Sequence, residues 1–243
     1  MFDDTEFSGW GLKSKTSEST NLTPIQRLEK EVLEGAPSTP RNISMYSKSL
    51  GFPSTEEFIK HIKGKKIADV GSGFTGFALD VALQGLDAMI IPINPVGANS
   101  SFTHDRRETI KLWRDLYYPE FNMLTIDASL RKIDKQAITA FAHDLSAIPN
   151  DAVDEVIDNL AVFHYSKPEY RELYEQSIKE MLRILKPDGI ILIGDASNLK
   201  SGREPWYKEI FDKLDLDYHY LERDISLGNI HVNQRYGFEI IKH

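Results

Sequence analysis

Ile67-Ala-Asp-Val-Gly-Ser-Gly-Phe-Thr-Gly76 is the stretch on which the fold turns. It begins as a short apolar run with strand character. At Gly71, Gly73 and Gly76 it satisfies G-x-G-x-x-G and passes at once into a helical pattern, the context that motif requires. Gly71 and Gly73 allow a sharp turn and bring backbone close to a ligand. The N–H groups and positive dipole of the following helix suit a carboxylate or phosphate. The plainer alternative is a tight strand–helix turn with no ligand.

The pattern extends outward from this turn. A strand is predicted at 65–70 and a helix at 75–84, with Phe77, Leu79, Ala82 and Leu83 apolar. Residues 87–93 form a nearly all-apolar strand of the kind buried on both faces of a parallel sheet. Downstream the sequence predicts a helix at 104–118, strands at 136–142 and 152–157, and a long amphipathic helix at 168–185. Lys186-Pro-Asp-Gly189 reads as a turn before a strong strand at 189–194. A helix at 204–214 and strands at 217–225 and 230–242 complete the chain. Residues 119–135 match no template. Upstream, residues 1–22 are polar and read as loosely attached. Thr23-Pro24 opens a helix with Ile25, Leu28, Val32 and Leu33 on one stripe. Residues 36–53, rich in Pro and Gly, read as a loop. A short helix at 55–62 has Ser54 or Thr55 as its cap and Glu56 and Glu57 in its first turn. Strand–helix alternation argues for a parallel sheet with helices on both faces, and the closing strand pair for an antiparallel edge.

Composition narrows the function classes. Apolar residues make up 41% and charged residues 27% of the 243, an ordinary globular balance. With no cysteine, disulfides, thiolate nucleophiles and Cys-based metal centres are excluded. No apolar run approaches the ~18 residues of a membrane span, and Met1-Phe2-Asp3-Asp4 does not start a signal peptide. A cytoplasmic location is expected. The net charge of −8 disfavours nucleic acid and an anionic membrane as partners.

The glycine motif alone does not choose a ligand, because dinucleotide sites share it. Other positions discriminate. Asp69 stands where a dinucleotide turn usually keeps an apolar residue, and the second strand ends Ile91-Pro-Ile-Asn94, without the acidic ribose contact. The chain has neither a Tyr-x-x-x-Lys pair nor a Walker A sequence. Residues 65–195 resemble the class I S-adenosylmethionine-dependent methyltransferases. Asp69-Val-Gly-Ser-Gly73 is similar to their first motif, and Ala142-His-Asp-Leu145 to their third-strand motif. Residues 154–165 resemble their fourth strand, and Leu185-Lys-Pro-Asp-Gly189 resembles the turn before their fifth.

The resemblance implies a Rossmann-like, three-layer αβα fold. Its sheet would have seven mostly parallel strands with an antiparallel C-terminal edge strand. The N-terminal helical pattern is expected to make residues 1–62 an extension and lid over the cleft at the strand ends, beside a donor-binding domain over 63–243. S-adenosylmethionine is the implied cofactor. Gly71, Ser72 and Gly73 would pass under its methionine and ribose parts, and Asp69 would steady the turn or meet its amino group. Asp144 would accept from the adenine amino group and the Leu145 backbone would meet a ring nitrogen. Asn159 would sit near the methionine end. Two positions depart from the pattern. Asn94 stands in place of the acidic ribose grip, losing a charge-assisted bond, and Pro92 removes a ladder donor from a strand expected to be central.

Methyl transfer draws much of its rate from positioning, so a general base is needed only for an acceptor that must lose a proton. His164 and Asp158 are the candidates, His164 because its ordinary pKa of ~6.5 suits neutral pH. Its alternative is simple packing before the next helix. Asp158, Asp195 and Asn198 are hard oxygen donors at strand ends, but plain turn and cap roles account for them, and no metal is expected. The long stretch 95–135 is available to an acceptor pocket. The expected activity is methyl transfer to a small-molecule or protein acceptor. The alternative is a non-catalytic protein of this fold that binds or regulates.

Overall fold

Alternation along the strands places two apolar layers around one sheet. Ile67, Ile90, Ile157 and Leu192 face one side, and their neighbours Ala68, Ile91, Val156 and Ile193 face the other. Successive side chains of a strand point to opposite faces, so runs such as Ile90-Ile91 and Ile191-Leu192-Ile193 require cover on both. The computed structural model describes residues 23, 26, 41–95, 111, 114–115, 118–159, 161–162, 168–194, 206–227 and 230–243.

The strands are β1 (Lys66–Val70), β2 (Met89–Ile93), β3 (Val153–Asn159), β4 (Leu185–Gly194), β5 (Asp217–Leu227) and β6 (Ile230–Ile241). They lie in the order β2-β1-β3-β4-β6-β5. The first four are parallel, and β6 runs antiparallel to both β4 and β5. The expected antiparallel C-terminal edge is therefore the β6–β5 pair, with β6 the inner of the two. The described helices are α1 (Ile43–Ser49), α2 (Thr55–Ile62), α3 (Gly76–Leu83), α4 (Met123–Gln136), α5 (Arg171–Ile184) and α6 (Lys208–Lys213). Side chains of α1 to α4 cover one face (Tyr46, Phe58, Phe77, Leu79, Ile126) and those of α5 and α6 the other (Tyr174, Ile178, Met181, Phe211).

The expected seventh strand is reduced to one parallel bridge, Ile93 to Ile138. The Ile138 N–H donates to the Pro92 carbonyl at 2.8 Å and the Asn94 N–H donates to the Ile138 carbonyl at 3.1 Å. Residues 89 and 93 of β2 bond toward β1, through Met89 N–H to Lys65 and the Ile93 carbonyl from Gly71. Pro92 therefore faces the outer edge, where its missing N–H does not disturb β1. It removes the next donor a third strand would need, and pairing stops after one residue.

Three further expectations change. Residues 43–49, read as loop, form α1, because the Asn42 side chain caps it by accepting from Met45 N–H and because Ile43 and Tyr46 are buried. Most of residues 119–135 fall in α4, which is capped by Asn122 and buries Ile126, Leu130 and Ile133. Gln136 thus ends a helix instead of starting a strand. Lys186-Pro-Asp-Gly189 lies inside β4 as an irregularity: pairing with β3 jumps from Val153–Leu185 to Glu155–Ile190, with Asp188 at φ 61°. Helix α2 matches its expected range, and Ser54 is its cap.

Candidate functional site

The glycine turn is held from two sides. Gly71 and Gly73 take φ of 72° and 54°, a region open to glycine at little cost. Thr75, before α3, shares it at 62°. The Ile93 carbonyl accepts from both Gly71 N–H (2.9 Å) and Ser72 N–H (3.2 Å), fixing the turn to the end of β2. The Asn94 amide donates to the Gly73 carbonyl at 3.0 Å. From the other side the Arg41 guanidinium approaches the Gly71 carbonyl at 3.4 Å. A methyl group at Gly71 would lie 2.3 Å from the Cβ of Ala161, so only glycine fits beneath the segment following β3.

Beside the turn lies a buried polar set. Asp69, at 0% exposure, accepts from the Tyr46 hydroxyl at 2.7 Å through one oxygen. Asn159 accepts from the Ser49 hydroxyl at 2.5 Å. Asp158 accepts from Val162 N–H at 2.9 Å, which ties down the chain after β3. Other atoms of the set have no hydrogen-bond partner among the described residues: Arg41 Nε and Nη1, Asp69 Oδ2, Ser72 Oγ and Asn159 Nδ2. Each such atom carries a desolvation cost of ~1–3 kcal/mol, and native proteins leave few of them. Their gathering at the carboxyl ends of β1 and β3 puts them where open α/β sheets take ligands. Burial pushes the Asp69 carboxyl up to about 7, against the Tyr46 hydrogen bond and the Arg41 charge that favour ionisation, with Asp158 adding to the rise. The Tyr46 hydroxyl is pushed well up, first by burial and next by the Asp69 charge.

The sequence-predicted residues divide between this set and its surroundings. Asp69, Gly71, Ser72, Gly73, Asp158 and Asn159 come together, and Asn94 reaches the turn from β2. Asp144 is exposed and accepts from Ser146 N–H at 3.2 Å; the Ser146 hydroxyl first, and that N–H next, hold its carboxyl below the usual range. The Leu145 N–H, which the resemblance aims at an adenine nitrogen, donates instead to Glu180 at 3.0 Å, and its carbonyl accepts from Arg183 at 2.8 Å. His164, Asp195 and Asn198 lie outside the described residues. Among the described residues no three His, Asp or Glu side chains gather as a metal would need.

Arg41, Tyr46 and Ser49 are the members that the sequence reading missed. The available signal was Asn42 followed by Ile43, Tyr46 and Leu50 at helical spacing, a capped helix start hidden among prolines.

No protein-family model matches the chain, and no curated protein matches it. Solved structures do. The 1,6-didemethyltoxoflavin-N1-methyltransferase of Burkholderia thailandensis, with bound 1,6-didemethyltoxoflavin and S-adenosylhomocysteine, is similar at 12% identity and TM-score 0.50, over 93% of this chain and 94% of that one. The precorrin-6y C5,15-methyltransferase of Geobacter metallireducens is similar at 13% identity and TM-score 0.44, over 82% and 88%. The YcgJ protein of Bacillus subtilis is similar at 14% identity and TM-score 0.45, over 80% and 98%. The chain has a class I methyltransferase-like fold.

Proposed function

We propose that the chain binds S-adenosylmethionine at the carboxyl ends of β1 and β3 and transfers its methyl group to a small-molecule or protein acceptor. The observation that carries this reading is the set of partnerless buried atoms beside the glycine turn. Its chemistry is that of an amino-acid head. The Asp69 carboxylate suits an ammonium group, and the Arg41 guanidinium and Asn159 amide suit a carboxylate. Ser72 adds a hydroxyl that can donate or accept. When bound, S-adenosylmethionine supplies an electrophilic methyl group on its sulfonium.

The remaining roles follow from position. Residues 1–62 act as a site-forming extension of a domain at 63–243, contributing Arg41, Tyr46 and Ser49. Asp144 is the partner for the adenine amino group, and Leu145 is left out of the pocket because Glu180 holds its amide. Positioning supplies the rate, with His164 as the base for an acceptor that carries a proton. Asp158, buried and spent on Val162, holds the chain after β3. The net charge of −8 keeps nucleic acid out of the acceptor class. Among the described residues no helix is long and apolar enough to cross a membrane, and a cytoplasmic location is part of the proposal. The non-catalytic alternative rests on Pro92 and Asn94. Both have structural work, at the outer edge of β2 and on the Gly73 carbonyl, so neither argues for a lost site.

Calorimetric titration with S-adenosylmethionine and S-adenosylhomocysteine tests the reading. Micromolar binding, weakened in Asp144→Ala, is expected; absence of binding of either by folded protein would overturn it.

A further inference from the structure

The end of β2 holds the glycine turn at three points. Two are backbone bonds from the Gly71 and Ser72 N–H groups to the Ile93 carbonyl. The third is a side chain, the Asn94 amide donating to the Gly73 carbonyl at 3.0 Å. Asn94 is itself fixed, since its own N–H donates to Ile138. Only this third contact depends on residue type. An amide has N–H to give, and an ionised carboxylate has none.

We infer that Asn94 is a positioning residue that clips the Gly73 carbonyl and thereby orients the glycine turn toward its ligand, so that an acidic residue at this position would weaken the site. The clip stands on geometry alone; its effect on a ligand rests on the donor reading above. Gly73, at φ 54°, adopts a conformation from which glycine departs easily, so the peptide after it needs an external hold. That peptide is planar and trans, so holding its carbonyl toward Asn94 sends the Phe74 N–H the opposite way. A carboxylate at position 94 would set two acceptors face to face with no proton between them. A protonated carboxyl regains an O–H and can donate again. The substitution that restores the family's acidic residue is thus predicted to be harmful, and harmful in a pH-dependent way.

The test uses Asn94→Asp and Asn94→Ala beside the wild type, each titrated with S-adenosylhomocysteine near about pH 8 and about pH 5 and compared as an affinity ratio to wild type at the same pH. Taking the ratio cancels the titration of Asp69, which all three share. Asn94→Asp is expected to bind at least about tenfold more weakly at the higher pH, with the gap narrowing at the lower. The Asn94→Ala gap is expected to be the same at both. A role in global stability alone would leave these ratios unmoved below the unfolding temperature. Thermal unfolding without ligand gives an independent reading: the Tm deficit of Asn94→Asp should also shrink as pH falls. Equal or tighter binding by Asn94→Asp at the higher pH, or a deficit that ignores pH, would overturn the clip. If wild type binds no S-adenosylhomocysteine, the donor reading fails, and the unfolding comparison still decides the clip.

Discussion

Strand β3 carries an acidic pair, Asp154 and Glu155, near its start and an acid beside an amide, Asp158 and Asn159, at its finish, and the two ends are treated oppositely. Toward its start, Asp154 accepts from Lys186 Nζ at 2.6 Å and Lys66 N–H at 2.7 Å. Glu155, at 0% exposure, meets Lys65 at 2.6 Å and His61 at 2.9 Å. At its finish, Asp158 and Asn159 lie beside Asp69, and the cation near Asp69 is Arg41, two of whose nitrogens have no partner among the described residues. Glu155 keeps one oxygen without a hydrogen bond, so the first end is not perfect. The difference is still one of kind. Two lysines at the start neutralise charge that folding must bury, whereas the finish stores donors and acceptors that folding alone does not satisfy. Burying such groups is costly, and a ligand that completes them explains their retention.

The largest effect that would break this contrast is steric. Gly71→Arg is expected to abolish donor binding, because Ala161 occupies the space a side chain needs and φ is 72°. Calorimetry beside a circular-dichroism spectrum of the variant checks it; unchanged affinity would remove the ligand from the turn.

Next comes Asp69→Asn, which sharpens the contrast because stability and affinity should move in opposite directions. Tyr46 can still donate to the new amide oxygen, but the anion for an ammonium group is gone. Affinity is expected to fall about tenfold to a hundredfold near about pH 8. The folded Asp69 carboxyl is raised from 3.8 to about 7. Between those values the folded state holds a proton that the unfolded chain has lost. Wild-type stability relative to the variant should therefore fall as pH rises across that window and level off above it. The variant should melt higher than wild type at the upper end, and a lower melting point there would break the reading of Asp69 as a ligand group.

Glu155→Gln should do the reverse. It takes the counter-charge from Lys65, and a loss of about 1–3 kcal/mol is expected on urea unfolding. Affinity for S-adenosylhomocysteine should stay within about twofold. A large affinity loss at unchanged stability would mean that both ends of β3 serve the ligand.

Much of this was legible because the relevant signals are local. Gly71, Gly73 and the apolar runs at 89–93 and 190–193 declare a strand–turn–helix unit and a two-sided sheet by themselves. Ser54 and its two following glutamates declare α2. What escaped depends on contacts across long sequence separation. Arg41, just before the cap of α1, and Tyr46, within α1, join the site from 28 and 23 residues before Asp69, and only the fold brings them there. The missing strand escaped because its failure is decided by which edge of β2 Pro92 faces, a property of pairing rather than of residues 136–142. Asn94 looked like a defect when compared with a family pattern, and its partner, the Gly73 carbonyl, cannot be read from a one-dimensional chain.

The smallest expected effect falls on Lys186, which is about half exposed. Lys186→Ala should cost no more than about 0.5 kcal/mol, as a solvent-screened pair normally does, and should leave donor affinity unchanged. Its value lies in the sign of its pH dependence. Burial pushes the Asp154 carboxyl up, but the Lys186 hydrogen bond, the Lys66 N–H and the lysine charges outweigh it and hold it below 3.8. The folded state then binds the proton less readily than the unfolded chain. The stability this group contributes is present above the ordinary carboxylate pKa and lost as pH falls through the folded one. Wild type and Lys186→Ala should therefore converge in Tm as pH drops below about 4, whereas wild type and Asp69→Asn should diverge as pH climbs from there toward about 7. Two neighbouring strands would then report opposite slopes, one from a charge settled by folding and the other from a charge left for a ligand. If both comparisons changed in the same direction with pH, the carboxylates near the two ends of β3 would be one structural network, and the assignment of its far end to a ligand would fail.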